Sequence, residues 1–458
     1  MPRLAVALIA AAGIAGGFGA GASAETLTEA LASTYTDNPE LDAERARLRA
    51  TDEGVPQALS GMRPTVTGGA DVSRTHTSSF GGSPPMKSSS SFSPRGFSIS
   101  VNQPVFQGFR ALNSVKQAEA LVLAGREALL NTEQNVLLDA VGAYVDVVRD
   151  LSIVSLQDNN LKVLNEQLRA TRDRFSVGEV TRTDVAQGEA RVSRAMSGLN
   201  LAEANFNSSR ANYARIVGHP PGALSQPPSI ARLLPRSLDE ALAIADAQHP
   251  AIQTAKYNEQ AAIHGVDVTT GELLPTVTID AGFSKDYDPS STTERSESAS
   301  ITGRLTVPLY QRGEPSSRVR QSVQVRAQRR LELDLVRRQV RAAVISAWGQ
   351  LDAAEAQIRS DQAQVSANEV ALAGVREEAK VGQRTVLDVL DAEQELLDSK
   401  VALVTTRRNF VVASYALLSA VGRLSAEKLG LPVAIYDPME YYKRVRDKWF
   451  GLDTYFDR

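Results

Sequence analysis

A direct repeat constrains this chain more than any single motif. Gly178 and Gly382 lie 204 positions apart, as do Thr181 and Thr385, and Asp184 and Asp388. In each copy a long apolar-periodic segment runs up to a glycine, the residue that takes a left-handed helix C-cap at least cost. Three residues later a threonine stands ready as N-cap, and the aspartate three further on completes a capping-box-like T-x-x-D. Each copy therefore reads as helix, tight turn, helix, and the chain is built of two equivalent halves.

The halves can be followed element by element. Residues 26–59 are helical in pattern, with Pro39 near the start and Pro56 near the end. Pro64 to Ser73 alternates, with Val66, Gly68, Ala70 and Val72 on one face and Asp71 among the polar residues of the other. A Ser/Gly/Pro run from Thr75 to Pro94 reads as a long flexible loop. Alternation returns with Phe97, Ile99 and Val101, giving a strand–loop–strand unit. After Gln103-Pro104-Val105-Phe106 there is no proline until Pro220. Leu137, Val141, Tyr144, Val148 and Leu151 follow in steps of 4, 3, 4 and 3, a coiled-coil seam. A helix from near Ala111 to Arg174 would be on the order of 95 Å long at 1.5 Å per residue and needs partners along its run.

The second half repeats this order. Pro250 and Pro275 match Pro39 and Pro64 at an offset of 211, and Gly422 matches Gly218 at 204. Val277, Ile279, Ala281 and Phe283 alternate with polar residues. Ser284–Ser298 reads as a second polar loop, and Ile301, Gly303, Leu305, Val307 and Leu309 alternate again around Arg304. Val340, Val344, Ala347, Leu351, Ala354 and Ile358 form the second seam. The predicted organisation is a signal peptide at 1–24 and a first repeat at 25–222. A linker at 223–235, a second repeat at 236–430 and a unique aromatic tail at 431–458 follow.

The signal peptide rests on Arg3, an Ala/Gly-rich apolar run from Leu4 to Ala20, and Ala22-Ser23-Ala24 before Glu25. The run is too short and glycine-diluted for a span of about 20 apolar residues. Cysteine is absent, which excludes disulfides, thiol chemistry and lipidation at the cleavage site. A formal charge of −3 names no partner. No other stretch could span a bilayer as a helix, so the exported chain is either soluble or embedded as strands. Four strands of about ten residues, apolar on one face and polar on the other, suit a membrane barrel, with Asp71, Asp280 and Arg304 facing its wet interior. Four strands cannot close a barrel, because the smallest closed ones have about eight. The chain must share its barrel with copies of itself, and a cyclic oligomer follows.

The doubled order of elements resembles the TolC-like outer-membrane efflux proteins. Gln103-Pro104-Val105-Phe106, Val307-Pro308-Leu309-Tyr310 and the two Gly-turn segments carry the same likeness. The most specific stretch is Gly382-x-Arg384-Thr385-x-x-Asp388-Val389-Leu390-Asp391, and the match spans Glu25 to Leu429. The resemblance implies a homotrimer in the cell outer membrane, with a shared twelve-stranded barrel and a helical tunnel crossing the periplasm. It implies a passive exit duct for efflux or type I secretion. A periplasmic adaptor and an inner-membrane pump of ABC, RND or MFS type would dock at the turns of Gly178 and Gly382. By the same likeness Asp388 and Asp391 correspond to an acidic gate ring, and Arg384, Thr183 and Asp184 to a latch between neighbouring hairpins. One departure stands out: Ala379 occupies a position where the family often has a tyrosine, so its hydrogen bond to Asp184 is missing.

The residues themselves bear on these roles. Asp184 and Asp388 each suffice as N-terminal caps, whereas Asp391 has Gln187 as its first-copy counterpart and is not needed for the cap. Arg384 replaces Val180 beside a positive helix N-terminus, which calls for an acceptor elsewhere, with Thr183 and Asp184 as candidates on another hairpin. No nucleophile–base pair, phosphate loop or metal-ligand cluster is present. His76, His219, His249 and His264 lack paired spacing, so no enzyme, cofactor or metal is expected. The basic run from Arg318 to Arg341 reads as a solvated helix face rather than a nucleic-acid contact. The rival functions are a structural coiled-coil surface protein without channel activity and a soluble periplasmic binding protein.

Overall fold

The computed structural model describes residues 24–453; most of the expected signal peptide lies outside them. The helical segment predicted over 26–59 is three helices: α1 (Leu27–Asp37), α2 (Pro39–Asp52) and α3 (Gly54–Ser60). The break falls at Asn38, whose side chain caps α2 by accepting from Glu40 and Leu41 N–H while Pro39 occupies the first turn. The second half uses the same device. α6 (Leu238–Gln248) gives way to α7 (Pro250–Thr270) at His249, whose Nδ1 accepts from Ala251 N–H at 3.1 Å. Burial pushes His249 down to about 4, so its ring is neutral and Nδ1 can accept at neutral pH.

Four strands, β1 (Thr65–Val72), β4 (Arg95–Gln107), β5 (Thr276–Ser290) and β6 (Thr293–Thr306), form one antiparallel sheet in the order β1-β4-β5-β6. Cross-strand rows such as Val66–Val101–Ala281–Ile301 fill one face. That apolar band ends where Lys285 meets Glu297 at 2.7 Å. The other face is polar: Asn102 donates to Asp280, and Arg304 approaches the same carboxylate at 3.9 Å.

Both predicted Ser-rich loops are strands instead. Residues 75–94 fold into a hairpin of β2 (Thr75–Gly81) and β3 (Met86–Phe92), with Ser78 opposite Ser89 and Ser79 opposite Ser88. Residues 284–298 continue β5 and β6 to a turn at 291–292. A backbone ladder needs no apolar side chain, so serine content misleads when the partner strand is supplied by the same hairpin. At the other end β6 stops at Thr306, and Val307 and Leu309 lie beyond it.

The two long helices, α4 (Arg110–Ser176) and α8 (Glu314–Lys380), have 67 residues each, and α5 (Arg182–Val217) and α9 (Val386–Ala420) return from them. Leu137, Val141 and Tyr144 of the first seam are fully buried, whereas Leu151 further along is half exposed. The main core packs α1 and α2 on α4 and α5, and Tyr213 donates to the Glu25 carboxylate at 2.7 Å. A second core joins α6, α8 and α9 around Val344 and Leu417. At Gly422 (φ 79°) a side chain would strike the backbone of His249, so glycine is required where the return helix meets the α6–α7 bend. Past α10 (Ala426–Leu429) the tail forms α11 (Pro438–Val445) against α2. No described helix is long and apolar enough to cross a membrane.

Candidate gating tip

The two turns have the same backbone. α4 and α8 end at glycines with φ 83° and 81°, Gly178 and Gly382. Glu179 N–H then reaches back to Arg174 C=O at 2.9 Å, and Gln383 N–H to Glu378 C=O at 3.0 Å. These bonds satisfy carbonyls that a helix end leaves open. Each following helix begins with a complete capping box. The Asp184 carboxylate accepts from Thr181 N–H and hydroxyl at 2.8 and 2.7 Å, and the Asp388 carboxylate from Thr385 at 2.9 and 2.8 Å. The Thr181 hydroxyl, then its N–H, hold Asp184 below the usual carboxylate range; for Asp388 the Thr385 N–H leads. Both aspartates are therefore charged at any physiological pH.

The tips are joined by a small apolar cluster of Leu164, Ala195 and Leu390. Polar contacts flank it. Asp391 pairs with Arg191 of α5, a partner that the sequence reading missed. Glu393 is buried in the middle, where it accepts from Arg376 of α8 at 2.7 Å and from Gln167 of α4. One carboxylate thus ties both hairpins together. The spacing of Arg376 and Glu393 alone could not reveal this, because its first-half equivalent, Arg172 with Glu189, is an exposed pair at 2.6 Å.

Arg384 finds its acceptor on its own hairpin, where Nε donates to Glu378 at 2.9 Å. Within the chain it does not meet Thr183 or Asp184; Thr183 is exposed and Asp184 is engaged by Thr181. Asp388 and Asp391 stand three residues apart on α9, Asp388 on its cap and Asp391 against Arg191. No group of three or more acidic, His or Cys residues among the described residues could hold a metal. Arginines of the basic run lie on the helix surface with acidic neighbours: Arg318 with Glu272 and Glu314, Arg329 with Glu332, Arg337 with Asp334.

Residues 30–219 and 241–423 match the family described as Outer membrane efflux protein. The chain belongs to this family. It is 44% identical over 439 residues to the outer membrane efflux protein BepC of Brucella suis, covering 95% of this chain and 94% of that one. To the outer membrane protein TolC of Escherichia coli it is 24% identical over 430 residues, 90% of this chain and 85% of that one. The solved outer membrane channel CmeC of Campylobacter jejuni superposes with a TM-score of 0.80 at 15% identity, covering 92% and 89%. This member of the outer-membrane efflux family is therefore a non-catalytic outer-membrane duct for efflux or secretion.

Proposed function

We propose that three copies of the chain close one barrel and one tunnel, and that this duct completes a tripartite export machine. The observation that carries the trimer is the open sheet. β1 and β6 are both edges in the single chain, and Val66, Ile301 and Leu305 stand exposed on its apolar face. A bilayer tolerates no unpaired strand edge, so β6 of one copy must pair with β1 of the next. Three four-stranded sheets make twelve strands (3 × 4), enough to close around a channel. The remaining apolar face then turns to lipid, and Asp71, Asp280 and Arg304 line the lumen.

In this reading the tips at Gly178 and Gly382 face an adaptor that links the duct to an inner-membrane pump. Asp388 and Asp391 of three copies form a ring whose net charge is reduced by Arg191. Arg384 is poised between Glu378 of its own hairpin and Thr183 and Asp184 of a neighbour, and exchange between these partners accompanies opening. Cargo is read as small molecules, following the efflux name of the relative at 44% identity; a relative at 24% identity is named an alkaline protease secretion protein.

The test is native mass measurement and planar-bilayer recording on the purified protein. A mass of three chains and discrete conductance steps are expected, with block by divalent or trivalent cations lost in the Asp388→Ala/Asp391→Ala variant. A monomeric, non-conducting protein would overturn the reading. Deletion of the gene should sensitise cells to drugs; loss of one secreted protein with unchanged drug tolerance would reassign the cargo.

A further inference from the structure

We propose that the C-terminal tail anchors the duct in the membrane: Trp449, Phe450 and Leu452 lie in the headgroup–acyl boundary of the outer membrane's periplasmic leaflet. The inference rests on the barrel reading above.

The tail is held firmly up to the point where it becomes apolar. Asp437 caps α11 through Met439 N–H at 2.8 Å, and Val445 is buried. Tyr441 donates to Glu53 at 2.7 Å, the Arg126 guanidinium lies 5.1 Å from the Tyr442 ring, and Arg446 donates to Glu119 at 3.2 Å. The chain then runs to the root of the barrel. Arg63 donates to Lys448 C=O at 2.7 Å and stacks 4.8 Å from the Trp449 ring centroid. Arg63 is two residues before β1, and Gln103 of β4 donates to Met62 C=O at 3.1 Å, so this contact sits where the membrane strands begin.

At that level three large apolar side chains point away from the protein: Trp449 is 65% exposed, Phe450 89% and Leu452 96%. Met62, at the foot of the same strand, is also exposed. Isolated exposed hydrophobics need no explanation, but a run of three beside the foot of an exposed apolar sheet does. Tryptophan in particular suits an interface where one edge of the ring is wet and the body is not. Arg63 and Lys448 beside it supply cations at headgroup height. Water in the lumen would leave all three side chains solvated, whereas lipid outside the barrel covers them.

The chain holds only two tryptophans, Trp348 and Trp449. Trp348→Phe therefore leaves Trp449 as sole reporter in the assembled protein, reconstituted in phosphatidylethanolamine/phosphatidylglycerol vesicles. Acyl-brominated lipids should quench its emission by roughly half or more and iodide should quench it weakly, as for a side chain at the boundary. If Trp348→Phe fails to assemble, the difference between the unmodified protein and Trp449→Phe isolates the same signal. Strong iodide quenching without bromolipid quenching would place Trp449 in water, and quenching by neither would place it under another copy of the chain; both overturn the anchor. Val101→Trp in the Trp348→Phe/Trp449→Phe background reports the barrel itself. Quenching there but not at Trp449 removes the anchor alone, whereas bromolipid quenching at neither position removes the barrel reading and the anchor with it.

Discussion

The two hairpin tips share a backbone and differ in how they spend their charges. Arg172 and Glu189 in the first half correspond, at an offset of 204, to Arg376 and Glu393 in the second. Both pairs form at nearly the same distance, 2.6 and 2.7 Å, yet the Glu189 side chain is 51% exposed and that of Glu393 only 5%. The second pair lies under Gln167 of α4, where the two hairpins meet. The turns show a second contrast. Arg174 at the end of α4 pairs with Glu179 in the turn, and at the equivalent site Glu378 at the end of α8 pairs with Arg384. An ion pair spans each turn, with the signs reversed. Geometry is thus repeated while polarity and burial are not.

The largest effect is expected where the halves should behave alike. Val101→Arg in β4 and Leu305→Arg in β6 each put a charge on the apolar face of the sheet, at a cost of about 2–4 kcal/mol where that face meets mid-bilayer lipid in the proposed barrel. The yield of heat-sensitive oligomer on unboiled gels should fall for both. Normal yield from either variant would break the equivalence of the strands.

At the tips the halves should part. Glu393→Ala removes a buried carboxylate that holds Arg376 and Gln167 at once and should cost about 2 kcal/mol, whereas Glu189→Ala removes an exposed pair worth about 0–1 kcal/mol. Thermal denaturation of the two variants measures the difference directly. Equal losses would show that the burial of Glu393 is without energetic consequence.

A further contrast lies near the tail. Asp52 of α2 is buried, and neither carboxylate oxygen has a hydrogen-bond partner among the described residues. Its second-half counterpart, at an offset of 211, is Ile263. Burial pushes Asp52 up from 3.8 to about 6, against a smaller opposing pull from Arg126. The folded chain therefore keeps this proton to higher pH than the unfolded chain, and stability falls as pH rises from 3.8 to about 6. Asp52→Ile should stabilise the protein by about 1–2 kcal/mol at pH 7.5, allowing for solvent screening, and should flatten that slope. Melting curves at pH 4 and 7.5 decide it; an unchanged slope would mean that another group titrates there.

The smallest effect concerns Arg384. Arg384→Ser should raise single-channel conductance and admit large antibiotics, because in the proposed trimer three copies would shift one closed–open equilibrium together. Asp184→Ala added to it should change little if Asp184 of a neighbouring hairpin is the closing partner, and Glu378→Gln should change little if the turn pair is. A second substitution that has an effect of its own and adds it in full to that of Arg384→Ser marks a group that acts independently of Arg384 and is not its closing partner.

The sequence by itself determined the doubled order of elements, the two Gly turns with their capping boxes, and the alternating faces of the four strands. These are local patterns, set by periodicities of 2 and 3.6 and by the few residues that accept a left-handed backbone. It also carried the likeness that identifies the family. The tertiary structure decided whatever depends on residues far apart in the chain. The Ser-rich segments are strands because a partner strand lies opposite them, which composition cannot show. Asp391 meets Arg191 from 200 positions away, and Glu393 meets Gln167 from 226. The helix N-terminus beside Arg384 calls for an acceptor, and within the chain it is the folded turn that brings Glu378 to it at 2.9 Å. The position of Trp449 at the foot of the sheet follows from its contact with Arg63, 386 residues earlier (449 − 63). Capping and strand alternation are written within a few neighbouring residues, whereas burial and ion pairing depend on which helices the fold brings together.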